Sequence, residues 1–374
     1  SDKPPHDIAA LGIARTFQNI ELFENATVLQ NLLIGHHIHR GAGFWSNLFF
    51  TQATRQAELA ARLRAEQVIE LLDLQALRRA LRGGRINTDF IDNSAGVDCS
   101  DNEVNIKIAL NAEMRAGRLK ESARNKLLEQ MTDSVAHLVL EDNRLQTLAL
   151  SIAETAGEAD LPAYVRLIEI FEASGRLDRV VEGLATNEEF FRRASEGRGL
   201  TRPELAILLS TAKLATQDGI EEAPLSQDAS MDSEVLAAFP EAMVKAHKSA
   251  ILAHRLRKEI IATKLANRMI NRLGMLHPFE LAEEEGCGLG DVAAAFAIAE
   301  RIYDLPALWH SIDTSPMPES TRLMLFNQAA VETRAQMADI IRNALEGRDV
   351  RAATAVYAPV VEKLSTALDG LLPK

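Results

Sequence analysis

With 374 residues, 25% of them charged and a formal net charge of −12 at pH 7, the chain repels polyanions. That excludes nucleic acid and anionic membrane surfaces as main partners. A hydrophobic content of 47% suits a packed globular protein of about two to three domains. Cys99 and Cys287 stand too far apart for a metal or redox motif and fit a reducing compartment. No apolar run reaches the ~18 residues of a spanning helix. The opening SDKPPHDIAA has no apolar signal core. The expectation is a cytoplasmic chain without membrane insertion.

In chain order, Ile13–Phe17 reads as a short strand, and Asn25–Gly35 as a capped helix closing on glycine. Residues 52–77 are expected to form a strong helix, because Ala61, Ala65, Val68 and Leu72 recur at spacings of four, three and four. His36, His37 and His39 lie side by side with no H-E-x-x-H or cysteine partner, so no metal site is expected. The run GIARTFQNIELFENATVLQNLLIGHH resembles the Q-loop region of ATP-binding subunits of branched-chain amino-acid ABC importers, over about residues 3 to 77. That resemblance places Gln18 at the glutamine that senses the nucleotide γ-phosphate. The sequence has no G-x-x-x-x-G-K-[ST] to cradle phosphates, so Gln18 is expected to be vestigial.

The stretch Gly83–Lys107, GGRINTDFIDNSAGVDCSDNEVNIK, is dense in small and hydrogen-bonding residues. Its composition predicts a loop passing close to a ligand, followed by a helix from Glu103 with Ser100 or Asp101 as N-cap. Such a helix N-terminus would offer backbone N–H groups to a carboxylate or phosphate. Val104, Ile108 and Ala112 would share its buried face.

From residue 102 onward the pattern is helical nearly throughout. Leu138, Leu140, Leu145, Leu148 and Leu150 are expected to thread one long amphipathic element, and Asp160 to cap the next helix ahead of Pro162. Thr201-Arg202-Pro203-Glu204 is a capping box leading into Leu205, Leu208, Leu209 and Ala212. Residues 219–235, rich in Asp, Glu, Ser and Pro, read as the best break. One long helix is expected from Glu241 to Leu273, with Ile261, Leu265, Met269 and Leu273 inward and Gly274 as its stop. Its Arg255, Arg257, Lys258 and Lys264 read as a solvated or subunit-facing surface. Gly286-Cys287-Gly288-Leu289-Gly290 spells G-x-G-x-G but follows an acidic helix rather than a strand, so an inter-helix loop is expected. Helices at about 289–302, 319–345 and 349–370 close the chain.

The Gly83–Lys107 stretch resembles the end of the catalytic domain of the large bacterial NAD-specific glutamate dehydrogenases. The pattern continues in TDSVAHLVLEDNRLQTLALSIAE (132–154), LTRPELAILLSTAKL (200–214), HRLRKEIIATKLANRMINRLG (254–274) and YDLPALWHSID (303–313), covering about residues 81 to 374. The resemblance implies three parts: an ABC-like segment over 1–80, the end of a catalytic domain over 81–115, and a C-terminal helical domain over 116–374. The fold class it implies is mainly α, preceded by a small partial α/β segment.

In glutamate dehydrogenases an Asn-x-x-Gly-Val-x-x-Ser pattern lines the interdomain cleft. Asn93, Gly96, Val97 and Ser100 match it. The resemblance implies that Ser100 holds the distal carboxylate of glutamate or 2-oxoglutarate, that Val97 packs on its methylenes, and that Asn93 reaches the nicotinamide of NAD. It also implies a homo-oligomeric enzyme oxidatively deaminating L-glutamate. The family's catalytic lysine, aspartate and nucleotide fingerprint have no counterpart here, so the expectation is a truncated or chimeric chain inactive alone. The alternatives are an ABC-transporter fragment and a non-catalytic helical oligomerisation module.

Overall fold

A computed structural model describes residues 86–343 and 349–371. The strand and helices expected before residue 86, the His36–His39 cluster and Gln18 lie outside the described residues. Within them every regular element is a helix, as the mainly α reading requires.

The chain begins with α1 (Asp89–Asp92) and α2 (Ser94–Arg115), then the long α3 (Glu121–Thr155), α4 (Leu161–Ala173) and α5 (Asn187–Ser195). Next come α6 (Arg202–Glu222), two 3₁₀ turns, α7 (Asp232–Ala237), α8 (Glu241–Leu252) and α9 (Arg257–Leu273). The order ends with α10 (His277–Glu285), α11 (Leu289–Ile302), α12 (Leu305–Thr314), α13 (Glu319–Asn343) and α14 (Val350–Leu371).

Two hydrophobic clusters organise these helices. One gathers α2, α7–α9 and α11–α13 around fully buried Ile261, Leu265, Met269 and Phe296. The other gathers α4–α6 around Phe171, Phe190, Leu205 and Leu208. At the centre of the first is α11, buried from Val292 to Glu300. Its run of alanines keeps the helix thin, so neighbours can pack on all sides of it.

Three expected features are present. Ile261, Leu265, Met269 and Leu273 all face inward, and Gly274, at φ 83°, stops the helix. At α6 the Thr201 N–H donates to Glu204 Oε2 at 2.7 Å and its hydroxyl donates to the same oxygen at 2.8 Å, within the predicted capping box. In the glycine run, Gly286 takes the left-handed conformation that ends α10, Gly288 caps α11, and Gly290 lies inside it.

Several expectations are corrected. The polar block from Ser94 to Asp101 is helix, not loop, so neither Ser100 nor Asp101 is an N-cap and no helix begins at Glu103. The buried face of α2 carries Asn102, Ile106, Ala109, Leu110 and Glu113, while Val104 is 51% exposed. In α3, Val139 is buried and Leu140 exposed; Leu138 and Leu140, two residues apart, stand about 200° apart on a helix and so do not share a face. Asp160 occupies the N-cap position of α4 without a side-chain capping bond. Residues 219–235 are a packed corner with Leu225, Met231 and Val235 buried, not a linker. The expected Glu241–Leu273 helix is two helices broken at residues 253–256. Arg257 and Lys264 are half-buried and paired within the chain: Arg257 reaches the Asp232 carboxylate at 2.8 Å, and Lys264 reaches Asp142 at 2.7 Å.

His254 supplies the reason for that break. Its Nδ1 accepts the Leu256 N–H at 3.1 Å, so Nε2 carries the proton and donates to the Asn105 carbonyl at 3.1 Å. The ring therefore clamps the α8–α9 corner onto α2 in its neutral form. Burial holds the His254 pKa below its usual 6.5, a neighbouring Arg255 adds to that, and the Asn105 bond and Glu259 oppose it. Because the folded state disfavours the charged form, the stability from this clamp is complete above pH ~6.5 and is lost as pH falls through the lower folded value. The melting temperature of the wild-type chain should fall more steeply on acidification than that of His254→Gln. Parallel pH profiles would rule the clamp out.

Candidate functional site

Helix α2 carries the residues that the sequence singled out. Asn93 is the N-cap residue just before the helix, and Val97 and Ser100 follow within it, three residues apart on one side of its first turns. All three are exposed, Val97 by 62%. Ser100 donates its hydroxyl back to the Gly96 carbonyl at 3.4 Å, a weak bond that leaves its lone pairs outward. A side chain at Gly96 would sit 3.1 Å from Asn93 Oδ1, so glycine there leaves room for the Asn93 carboxamide.

The helix start is held from α3. Asn143 donates to the Ile91 carbonyl at 3.0 Å and to the Ser94 hydroxyl at 2.7 Å; Gln146 also donates to that hydroxyl, at 2.5 Å. These bonds consume polar groups that composition alone assigns to a loop.

Beside these residues, a cavity of about 600 Å³ opens between α2, α3, α6 and α9. Val97 is on its edge, but Asn93 and Ser100 are not among its lining residues. Its floor is ionic. Lys213 of α6 is half-buried and, among the described residues, donates only to Gln146 Oε1, at 3.4 Å; burial brings its pKa down to about 8, with the Asp142 carboxylate opposing. Asp98 of α2 is pushed above its ordinary range, first by burial and also by the Asp142 carboxylate, with Lys264 opposing. None of Lys213, Asp98 or Asp142 was found by sequence reasoning. A lysine beside the buried residues Leu209, Ala212 and Thr216 is the signal that could have found the first of them.

Among the described residues no cluster of His, Cys, Asp or Glu could hold a metal ion. No described helix is long and apolar enough to cross a membrane.

Comparison with known proteins gives a consistent picture. The family "Bacterial NAD-glutamate dehydrogenase, catalytic domain" matches residues 55–153, which include all of α1, α2 and most of α3. The family "Glutamate dehydrogenase, C-terminal" matches residues 197–374. An NAD-specific glutamate dehydrogenase of Pseudomonas aeruginosa is 36% identical over 304 residues, 81% of this chain and 19% of the relative. One from Halomonas elongata is 38% identical over 237 residues, 63% of this chain and 15% of the relative. The chain thus spans a fifth or less of the glutamate dehydrogenases it resembles. A branched-chain amino acid transport ATP-binding protein of Pseudomonas aeruginosa, BraF, is 34% identical over 106 residues, 28% of this chain and 36% of the relative.

Proposed function

We propose that this chain, which carries NAD-specific glutamate dehydrogenase sequence over most of its length, supplies one wall of that enzyme's substrate and cofactor cleft through α2. The observation that carries the reading is the set of exposed residues itself. An exposed carboxamide at the N-cap of α2 is followed, four and seven residues on, by an exposed apolar side chain and an exposed hydroxyl, within the segment that matches the catalytic-domain family.

In this reading Ser100 turns its hydroxyl from the Gly96 carbonyl to the distal carboxylate of glutamate or 2-oxoglutarate. Val97 packs against the methylene stem and excludes water from it. Asn93, carrying a donor and an acceptor on one exposed amide, has the chemistry to pair with the nicotinamide carboxamide of NAD. NAD, when bound, takes up the hydride of the oxidation. The residues of this chain bind and orient, whereas proton transfer falls to groups other than these three. A homo-oligomeric assembly belongs to the same proposal.

The test is Ser100→Ala in a full-length enzyme carrying this segment. Loss of a hydrogen bond to a charged group should lower kcat/KM for glutamate by at least about tenfold. It should leave KM for NAD nearly unchanged. Norvaline, which has no distal carboxylate, should lose less than glutamate. Equal losses for both amino acids would refute the contact.

A further inference from the structure

We propose that Lys213, at the cavity between α2, α3, α6 and α9, is a carbonyl-reactive amine that captures apolar aldehydes as a Schiff base. The inference stands apart from the proposed function, because neither Asn93 nor Ser100 lines this cavity.

A lysine reacts as an amine when burial disfavours its ammonium form and no close counter-charge restores it. Lys213 lines the cavity from α6 and is half-buried. Its one hydrogen bond among the described residues is the long one to Gln146 Oε1, at 3.4 Å. Asp142 is the carboxylate whose field reaches it, and Asp142 is itself engaged by Lys264, at 2.7 Å. Burial outweighs that field and leaves the Lys213 pKa at about 8. At pH 7.5, roughly two orders of magnitude more of it is neutral amine than of an ordinary lysine.

The rest of the wall selects the carbonyl. Phe90, Val97 and Val104 line the same cavity and are all exposed, so an apolar substituent has side chains to cover. The charged lining is Asp98, Asp101, Asp142 and Glu259 against Lys213 and Lys264. That acidic excess repels an anionic carbonyl such as a keto acid and leaves a neutral one. An aldehyde, the least hindered neutral carbonyl, suits an amine that is only half accessible.

In the reaction the Lys213 lone pair attacks the aldehyde carbon, forming the C–N bond as the carbonyl π bond breaks. The proton lost from nitrogen and one from solvent convert that oxygen to water, which leaves as the C=N bond forms. Ammonium plus aldehyde thus becomes iminium plus water. The iminium keeps the single positive charge of the ammonium, so the Asp142 field favours both alike.

Incubation of the full 374-residue chain with hexanal or glyoxylate at pH 7.5, trapped with cyanoborohydride and read by peptide mass spectrometry, tests this. Lys245, with a side chain 72% exposed, is the reference. Hexanal should label Lys213 at least about tenfold faster than Lys245. Glyoxylate, an aldehyde that carries a carboxylate, should show no such preference, and in denaturing urea hexanal should label the two lysines alike. Val104→Asn, at an exposed position, should slow hexanal at Lys213 by at least about threefold and leave Lys245 unchanged. Labelling of Lys213 no faster than Lys245 overturns the proposal. So does a preference that survives urea, since the folded cavity would not be its cause. Preferential labelling of Lys213 by glyoxylate would mark an anion-directed site and sink the apolar class, as would an unchanged hexanal rate in Val104→Asn.

Discussion

Replacing Arg193 with methionine should destabilise the fold by about 3–5 kcal/mol, the cost of stranding a buried charge. Arg193 and Glu204 have side chains only 5% and 4% exposed. The guanidinium holds both carboxylate oxygens from Nη1, at 2.8 and 3.1 Å, and its Nε reaches Glu189 at 3.1 Å. It also lies over the Phe190 ring, 5.5 Å from the centroid. Without Arg193, Glu204 keeps the Thr201 N–H and hydroxyl but loses its counter-charge inside the second hydrophobic cluster. The partner variant separates net worth from stranding: Arg193→Met with Glu204→Met removes both charges and should recover most of the loss. Urea denaturation of the single and double variants reads this directly. A single variant within about 1 kcal/mol of wild type, the range of exposed pairs, would mean that water reaches the carboxylate.

Gly290→Val should cost at the upper end of the ~1–3 kcal/mol typical of overpacking, or more. A Cβ at Gly290 would collide with Ala223 Cβ and stand 2.9 Å from the Gly219 carbonyl oxygen. A Cβ at Gly219 would in turn meet Leu289 Cβ at 2.8 Å. Here α6 and α11 cross backbone to backbone, and neither carbonyl nor alanine can retreat as a long side chain would. Gly288, two residues earlier, is the control: a Cβ there would have its nearest neighbour at 3.6 Å, an ordinary contact. Gly288→Ala should therefore leave the thermal midpoint almost unmoved, while Gly290→Val lowers it clearly. Equal behaviour of the two variants would show that the helices can spread apart at their crossing.

These glycines also show what a sequence motif can convey. That Gly286, Gly288 and Gly290 are not a dinucleotide fingerprint was legible, because the residues before them have the charge pattern of a helix rather than an apolar strand. That Gly290 marks a helix crossing was not legible, since its partner, Gly219, lies 71 residues away and nothing local couples them.

The family spacing Asn93–Val97–Ser100 was likewise visible in the sequence. The loop inferred around it was wrong: Ser, Asp and Asn are weak helix formers in isolation, and the bonds from Asn143 and Gln146 that hold Ser94 and Ile91 come from α3. The apolar residues Val104 and Ile108 suggested the inward face of α2, yet the inward face is set by what α2 packs against, and there Ile106 and Leu110 win.

The sequence by itself determined the helical class, the cap at Thr201, the stop at Gly274 and the inward stripe of α9, because each depends on residues within one or two turns. Only the tertiary structure decided where α2 begins, that His254 breaks the long helix, and that Lys213 meets Asp98 and Asp142 at one cavity. Those outcomes rest on hydrogen bonds and charges between residues tens to more than a hundred positions apart. No local periodicity carries that information, because burial and pairing belong to the packed chain and not to the segment.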